Sequence, residues 1–134
     1  MKYSKIYNYC QENGIDSKEV LDNLYNDEVD FDVDDYRFIS ESDIDAIQKD
    51  ELSGDTYLLG CFSAWFIADI IDLPTSQVEK AQKDGSYELL GNLMLQHIDE
   101  VQEKYSSTDG YGHHFNPYNG DEENLDGYYI FRTN

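Results

Sequence analysis

Apolar residues recur every three to four positions in the first 25 residues, which is the spacing of one helix face. One group lies at Tyr3, Ile6, Tyr7 and Cys10, and a second lies at Val20, Leu21 and Leu24. Gly14 stands where a helix would end in a left-handed C-cap, and Asp16 or Ser17 can cap the next helix. The pattern therefore predicts two short helices that meet near Gly14.

The pattern changes to a period of two between residues 28 and 34. Val29, Phe31 and Val33 alternate with the acids Glu28, Asp30, Asp32 and Asp34. Because successive side chains of a strand point to opposite faces, this alternation predicts a strand with one buried face and one acidic face. A short helix should follow from Ser40 or Ser42, because each has an aspartate three residues later in a capping-box-like arrangement.

Residues 56–72 are apolar nearly all round a helix, with Asp55 as the N-cap and Pro74 as the stop. A helix of that kind is buried in the middle of a fold. Ser76 and Gly85 bound a further short helix. Residues 86–105 predict one more amphipathic helix, whose apolar positions are Tyr87, Leu90, Met94, Ile98, Val101 and Tyr105.

The last quarter of the chain is rich in Gly, Asn, Tyr and Asp, with turn signals at Asn119-Gly120 and Asp126-Gly127. Residues 128–131 predict a strand, and residues 113–115 are its expected hairpin partner. The whole pattern predicts a single α+β domain over residues 1–134, mostly helical around the buried helix 56–72. A small antiparallel sheet should combine the segment 28–39 with the C-terminal hairpin.

The composition favours a packed domain over a disordered acidic chain. Hydrophobic residues make up 40% and aromatic residues 14%, so a core can offset the chain entropy. Cys10 and Cys61 lack a metal-like or redox-like spacing, which favours two free thiols in a reducing cytosol. No signal segment is visible, and the longest apolar stretch, residues 57–71, is shorter than the ~20 residues of a membrane span. We therefore expect a soluble cytoplasmic protein that does not bind membranes.

The formal net charge of −20 is the most unusual property of the chain. A small soluble domain usually has a net charge of about 2 to 8 in magnitude, positive or negative. Half of the net charge of this chain lies in residues 27–55, which contain twelve acidic and two basic side chains. Such a charge repels phosphate, so direct nucleic-acid binding is not expected. The explanations that remain are solvation at high salt, an acidic module that binds a basic protein, and mimicry of a nucleic acid.

The sequence gives less support for a metal site or for an enzyme. Residues at positions 1, 3, 5, 7, 9 and 12 of a possible EF-hand loop are Asp30, Asp32, Asp34, Tyr36, Phe38 and Glu41. Asp35 replaces the glycine of position six and Arg37 brings a cation to position eight, so an acidic strand is the preferred interpretation. His113 and His114 would point to opposite faces of a strand, which favours structural histidines over a metal site. Without a nucleophile elbow or phosphate loop, we expect neither an enzyme nor a cofactor.

A protein can imitate a nucleic acid only by holding carboxylates in rows, because duplex DNA carries one negative charge about every 1.7 Å. Alternate residues of a strand lie about 6.7 Å apart on one face, so Asp30, Asp32 and Asp34 should form such a row. The acidic side of the helix that follows should extend it. The predicted partner-binding residues are Asp27, Glu28, Asp30, Asp32, Asp34, Asp35, Glu41, Asp43, Asp45, Asp50 and Glu51.

Three stretches resemble small acidic proteins encoded by phages and prophages, namely LGCFSAWFIAD at residues 59–69, GYGHHFNPYNGDEE at 110–123 and YYIFR at 128–132. The resemblance implies a phage setting without an activity. In charge, length and Tyr/Asp-rich helices the chain also resembles phage DNA-mimic antirestriction proteins, although no motif is shared.

We therefore expect a phage-type inhibitor in the cytoplasm of the host cell. Its expected partner is a host nucleic-acid-handling defence protein, such as a restriction or CRISPR nuclease, bound through the DNA-mimicking acidic surface. The alternative is an acidic protein-interaction module of unknown target, followed by a calcium-binding protein. The oligomeric state stays open.

Overall fold

The computed structural model describes all 134 residues, in nine helices and four strands. The helices are α1 (Ser4–Asn13), α2 (Ser17–Tyr25), α3 (Ile44–Ser53), α4 (Thr56–Gly60), α5 (Ala64–Ile71), α6 (Thr75–Lys83), α7 (Tyr87–Leu95), α8 (Ile98–Asp109) and α9 (Gly112–Phe115). The strands are β1 (Asp30–Val33), β2 (Tyr36–Ser40), β3 (Glu123–Leu125) and β4 (Tyr128–Arg132). The fold class is α+β, mostly helical with one antiparallel sheet, which confirms the prediction. None of the helices is both long and apolar enough to cross a membrane.

The chain forms two compact units. We call Met1–Ile44 together with Asp109–Asn134 the sheet unit, and Asp45–Thr108 the helical unit. Each unit contains a cluster of buried apolar side chains of its own. The two are described separately below.

The sheet has the order β1-β2-β4-β3, and every neighbouring pair is antiparallel. Directly paired residues share a face, so the pairs Phe31↔Phe38 and Phe38↔Ile130 define one face of the sheet. α1 and α2 pack on that face through the buried side chains of Ile6, Cys10, Val20 and Leu24. The period-two pattern of β1 and the helical spacing before it therefore supply the two sides of one core.

The segment 28–39 forms two strands rather than one. The alternation predicted for residues 28–34 holds as far as Val33, where β1 ends. Asp34 then adopts a left-handed conformation with φ 53°, which aspartate tolerates better than most residues, and the chain reverses into β2. The result is the hairpin β1–β2, whose turn consists of two residues.

The C-terminal hairpin forms with a different partner from the one predicted. Residues 113–115 belong to the short helix α9, and the strand paired with β4 is β3. Asp126 and Gly127 form the two-residue turn with φ 51° and φ 85°, the positive values that a tight hairpin of this kind requires. α9 instead covers the opposite face of the sheet, where the Phe115 and Phe131 rings lie 5.2 Å apart.

The β3–β4 turn also caps helix α1. Tyr3 is at the N-cap position of α1 and makes no side-chain capping bond. The Asp126 carboxylate accepts hydrogen bonds from the backbone N–H groups of Lys5 and Ile6, both at 3.0 Å. Because the first N–H groups of a helix have no partner within it, Asp126 satisfies two donors from a position more than one hundred residues away in sequence.

The helical unit is built on α5 and on a close crossing of α4 with α7. Ile67 of α5 is completely buried in the apolar cluster of this unit. A Cβ atom at Gly60 would lie 1.9 Å from the Tyr87 carbonyl oxygen, and one at Gly91 would lie 1.7 Å from that of Thr56. The two helices therefore touch through their backbones, which only glycine permits at both positions.

The predicted central helix 56–72 is interrupted. α4 ends at Gly60, and α5 begins after Ser63, whose extended backbone (ψ 145°) breaks the helical path. The expectation that this segment is buried all round is wrong, because Tyr57, Leu58 and Trp65 are exposed. The predicted helix 86–105 is also divided, into α7 and α8 at residues 96–97. Its apolar pattern stays in phase across that break, so the spacing alone contains no sign of it.

Candidate partner-binding surface

Eight of the eleven predicted partner-binding residues lie on the sheet unit, in a segment that we call the acidic hairpin (residues 27–43). They are Asp27, Glu28, Asp30, Asp32, Asp34, Asp35, Glu41 and Asp43. All are exposed except Asp43, which is half-buried. Asp30 and Asp32 share one face of β1, whereas Phe31 and Val33 turn toward the core, as the alternation predicts.

Asp30 is neutralised within the hairpin. The Arg37 guanidinium donates from Nε to Oδ1 at 2.8 Å and from Nη2 to Oδ2 at 2.7 Å, a bidentate pair across β1 and β2. Arg37 also lies over the Phe115 ring at 5.0 Å, which holds the guanidinium in place. Asp30 therefore helps to fix the hairpin and offers a partner less charge than its exposure indicates.

Asp34 has a structural role in the turn of the acidic hairpin. It lies outside β1 in the hairpin turn, and its carboxylate accepts a hydrogen bond from the Asp16 backbone N–H at 3.0 Å. Asp16 in turn caps α2 by accepting from the Glu19 N–H at 3.2 Å. β1 ends one residue before Asp34, so the turn rather than the strand places this carboxylate, and Asp30, Asp32 and Asp34 line one surface depression.

Five exposed carboxylates of the acidic hairpin make no ion pair and no side-chain hydrogen bond. They are Asp27, Glu28, Asp32, Asp35 and Glu41. We call these five the free acids of the hairpin. No ion pair or side-chain hydrogen bond within the chain uses these carboxylates, and all five are exposed to solvent.

Carboxylates of the acidic hairpin affect the pKa of Tyr128. Burial raises the pKa of the Tyr128 phenol, and Tyr3 and then Asp27, Asp43 and Glu28 raise it further. The Tyr128 hydroxyl donates to the Glu28 backbone carbonyl at 2.8 Å, which ties β4 to the start of the acidic hairpin. Three carboxylates thus lie close enough to one buried phenol to oppose its ionisation.

The remaining three predicted residues, Asp45, Asp50 and Glu51, lie on α3 in the helical unit. Asp45 accepts a hydrogen bond from Gln102 Nε2 at 2.8 Å, and that same nitrogen donates to Gln48 Oε1 at 2.9 Å. Asp45 therefore takes part in packing α3 against α8, and all three carboxylates are exposed.

The EF-hand alternative does not fit the conformation of its segment. Residues 30–41 form a β-hairpin in which Phe38, the ninth position of the supposed loop, is completely buried. An EF-hand loop would instead wrap its ligands around one ion between two helices. Nowhere in the chain do three His, Cys, Asp or Glu side chains come together in a way that could hold a metal ion.

The sequence identified the acidic segment but not the partners that divide it into fixed and free acids. From the sequence, Arg37 is a cation unfavourable to calcium and Asp16 a helix cap, and neither property indicates its bond to Asp30 or Asp34. The signal for the Arg37 pair was present, since a turn at Asp34-Asp35 brings Arg37 opposite Asp32 and diagonal to Asp30.

Comparison with known proteins gave no match among family models, curated proteins or solved structures.

Proposed function

We propose that this protein is a phage-type inhibitor that binds a host nucleic-acid-handling defence protein through the acidic hairpin. The partner would be a restriction or CRISPR nuclease, and the hairpin would occupy the basic surface that the nuclease offers to nucleic acid. The observation that carries the proposal is the set of five free acids, which are exposed and unpaired on one hairpin.

The electrostatics favour this use. The chain carries a net charge of −20. The acidic hairpin contains one basic residue, Arg37, which forms an ion pair with Asp30. A surface of this kind attracts a Lys/Arg-rich partner over distances near the Debye length, about 8 Å at physiological salt. Association should therefore be fast and should weaken as salt increases.

The first experiment is capture from bacterial lysate on the immobilised protein, followed by competition with duplex DNA. A nuclease or other nucleic-acid-binding protein that DNA displaces, and that about 0.5 M salt releases, is the expected result. A partner that ignores both DNA and salt would contradict mimicry and favour an acidic interaction module of another kind.

The decisive variants remove charge without removing any bond that the fold uses. E28Q/D32N/D35N/E41Q neutralises four free acids, and E12Q/E19Q/E79Q/D84N removes the same charge from exposed residues outside the acidic segment. An exposed ion pair contributes about 0.2–1 kcal/mol, so four lost contacts should weaken capture by roughly 2 kcal/mol, or about 30-fold. Equal weakening by the two variants would show that only total charge matters, and would overturn the proposed site.

A further inference from the structure

The only tryptophan of the chain lies on the surface of the helical unit. Trp65 is 54% exposed, although its helix α5 is apolar and half of that helix is buried. Leu73, which follows the end of α5, is 40% exposed. An exposed indole and an exposed leucine that line one cleft are a candidate contact surface, because tryptophan is concentrated at sites that a partner covers.

Trp65 forms one wall of a shallow cleft at the C-terminal end of α5. Ala68 and Asp69 follow at intervals of three and four residues, so they share its helix face, and Asp72, the C-cap of α5, also lines the cleft. Asp72 takes a left-handed conformation with φ 57° and ends the helix, after which Leu73 and Pro74 close the other wall. We call this group, residues 65, 68, 69 and 72–74, the Trp65 cleft.

The fold already holds a cation at one side of this cleft. Lys104 of α8 makes an ion pair with Asp69, and its ammonium lies over the Trp65 ring at 5.2 Å from the centroid. This geometry is a cation–π contact combined with a carboxylate. Asp72, at the C-cap of α5, makes no ion pair, so it leaves a second carboxylate beside the aromatic wall. Glu100 and Glu103 lie beside Lys104 on α8 and add further negative charge.

Charge decides among the possible occupants of the cleft. A second copy of the chain would bring another net charge of −20, and nucleic acid or an anionic membrane would also be repelled. A cationic protein segment is attracted, and tryptophan is the best aromatic partner for its guanidinium or ammonium groups. The exposed side chains of Trp65 and Leu73 additionally offer apolar surface to an aliphatic side chain of that segment.

We propose that the Trp65 cleft binds a cationic segment of a partner protein that presents a basic side chain next to an aliphatic one. The basic side chain contacts the exposed part of the Trp65 ring that Lys104 does not cover and pairs with Asp72, while the aliphatic side chain packs against Trp65 and Leu73. This inference goes beyond the acidic hairpin, because it concerns other residues and includes an apolar contact that salt does not screen.

The test uses the full-length chain and an acetylated, amidated peptide of alternating leucine and arginine as the probe. Because the chain contains one tryptophan, its indole N–H gives a single ¹H–¹⁵N signal that reports on the cleft directly. We expect a saturable shift of that signal, which persists at about 0.3 M salt because part of the contact is apolar. A peptide with glutamate in place of arginine should leave the signal where it is, and one with serine in place of leucine should shift it only at low salt.

Substitutions locate the contact. Trp65→Ala should weaken binding of the fluorescently labelled peptide at least about 30-fold, the loss expected on truncating a central aromatic contact. Asp72→Asn should weaken it about two- to fivefold, as for one exposed ion pair. Leu89→Ala is the matched control, because Leu89 is 60% exposed on the same unit but is not part of the cleft, and it should bind like the unmodified chain.

Several results would overturn the inference. They are an unmoved indole signal, equal binding of the glutamate peptide, equal affinity of Trp65→Ala, and a dimer in sedimentation experiments that Trp65→Ala abolishes. Thermal unfolding of Trp65→Ala guards against misreading a folding defect as a binding defect. E28Q/D32N/D35N/E41Q should retain peptide binding, so failure of the acidic hairpin and failure of the Trp65 cleft give different outcomes.

Discussion

Replacing Gly91 by alanine tests the backbone contact between α4 and α7. In an exposed helix interior the same change stabilises a protein by about 1 kcal/mol, because glycine has more backbone freedom to lose on folding. At Gly91 the new Cβ would lie 1.7 Å from the Thr56 carbonyl oxygen and 2.6 Å from its carbonyl carbon. Both atoms belong to the backbone, so no side-chain rotation can relieve the overlap.

The size of the effect follows from that distance. Cβ atoms essentially never approach another heavy atom more closely than 3.0 Å, so α4 and α7 must separate by more than 1 Å. The separation would loosen Leu59 and Leu90, which are buried near the crossing. Overpacking usually costs about 1–3 kcal/mol, and a rigid backbone contact belongs at the upper end. We expect Gly91→Ala to lower the free energy of unfolding by about 3 kcal/mol.

Urea denaturation followed by circular dichroism measures this difference, with Gly54→Ala as the control. A Cβ at Gly54 would meet the Glu51 carbonyl oxygen at 3.6 Å, an ordinary contact, so that variant should change stability by less than about 0.5 kcal/mol. If Gly91→Ala were as stable as the unmodified chain, or more stable, helices α4 and α7 would not be in backbone contact and the reasoning would be refuted.

Two further predictions concern the sheet unit and the thiols. Asp126→Ala should lower the free energy of unfolding by about 2–3 kcal/mol, because it removes the α1 cap and leaves alanine at φ 51°, whereas Asp126→Asn should cost about 1 kcal/mol or less. Equal losses in a urea titration would contradict that account. Burial raises the pKa of Cys10 to about 11, and Cys61 is exposed, so one thiol per folded chain should react with a disulfide reagent at pH 8. Two fast-reacting thiols, or one that survives Cys61→Ser, would show that Cys10 is accessible.

The sequence predicted those parts of the fold that follow from local periodicity. The spacing of Val20 and Leu24 placed α2, and the alternation of Phe31 and Val33 placed β1, because each pattern matches the geometry of one element. The Asp126-Gly127 turn was predictable for the same reason, since two adjacent positive φ values need residues that tolerate them.

The parts it missed depend on contacts between distant residues. Gly91 and Thr56 are in contact although they are 35 residues apart in sequence. No sequence pattern near Gly60 indicates that a second helix crosses there. Trp65 was predicted to be buried because its helix is apolar on nearly every side, yet α5 is covered on only part of its circumference. Periodicity shows which residues are apolar but not how many neighbours are available to cover them.

The candidate site follows the same division. Composition was enough to locate the acidic segment, whereas the difference between Asp32 and Asp34 depended on where β1 ends and on the Asp16 N–H. The ion pair of Asp30 with Arg37 depends on the β1–β2 register, because that register places Arg37 diagonally across from Asp30. Charge density therefore identifies a surface, and the hydrogen bonds decide which of its carboxylates are available.

The positions of the acids have a consequence for the sheet itself. β1 and β3 are its two outer strands, and an outer strand presents unpaired N–H and C=O groups that can template aggregation with another molecule. Asp30 and Asp32 lie on β1, and Glu123 lies on β3, so a second copy docking side by side would bring carboxylates opposite carboxylates. Acidic side chains on both outer strands therefore oppose the growth of a small, highly aromatic sheet into a fibre, and Asp32 is at the same time one of the free acids of the hairpin.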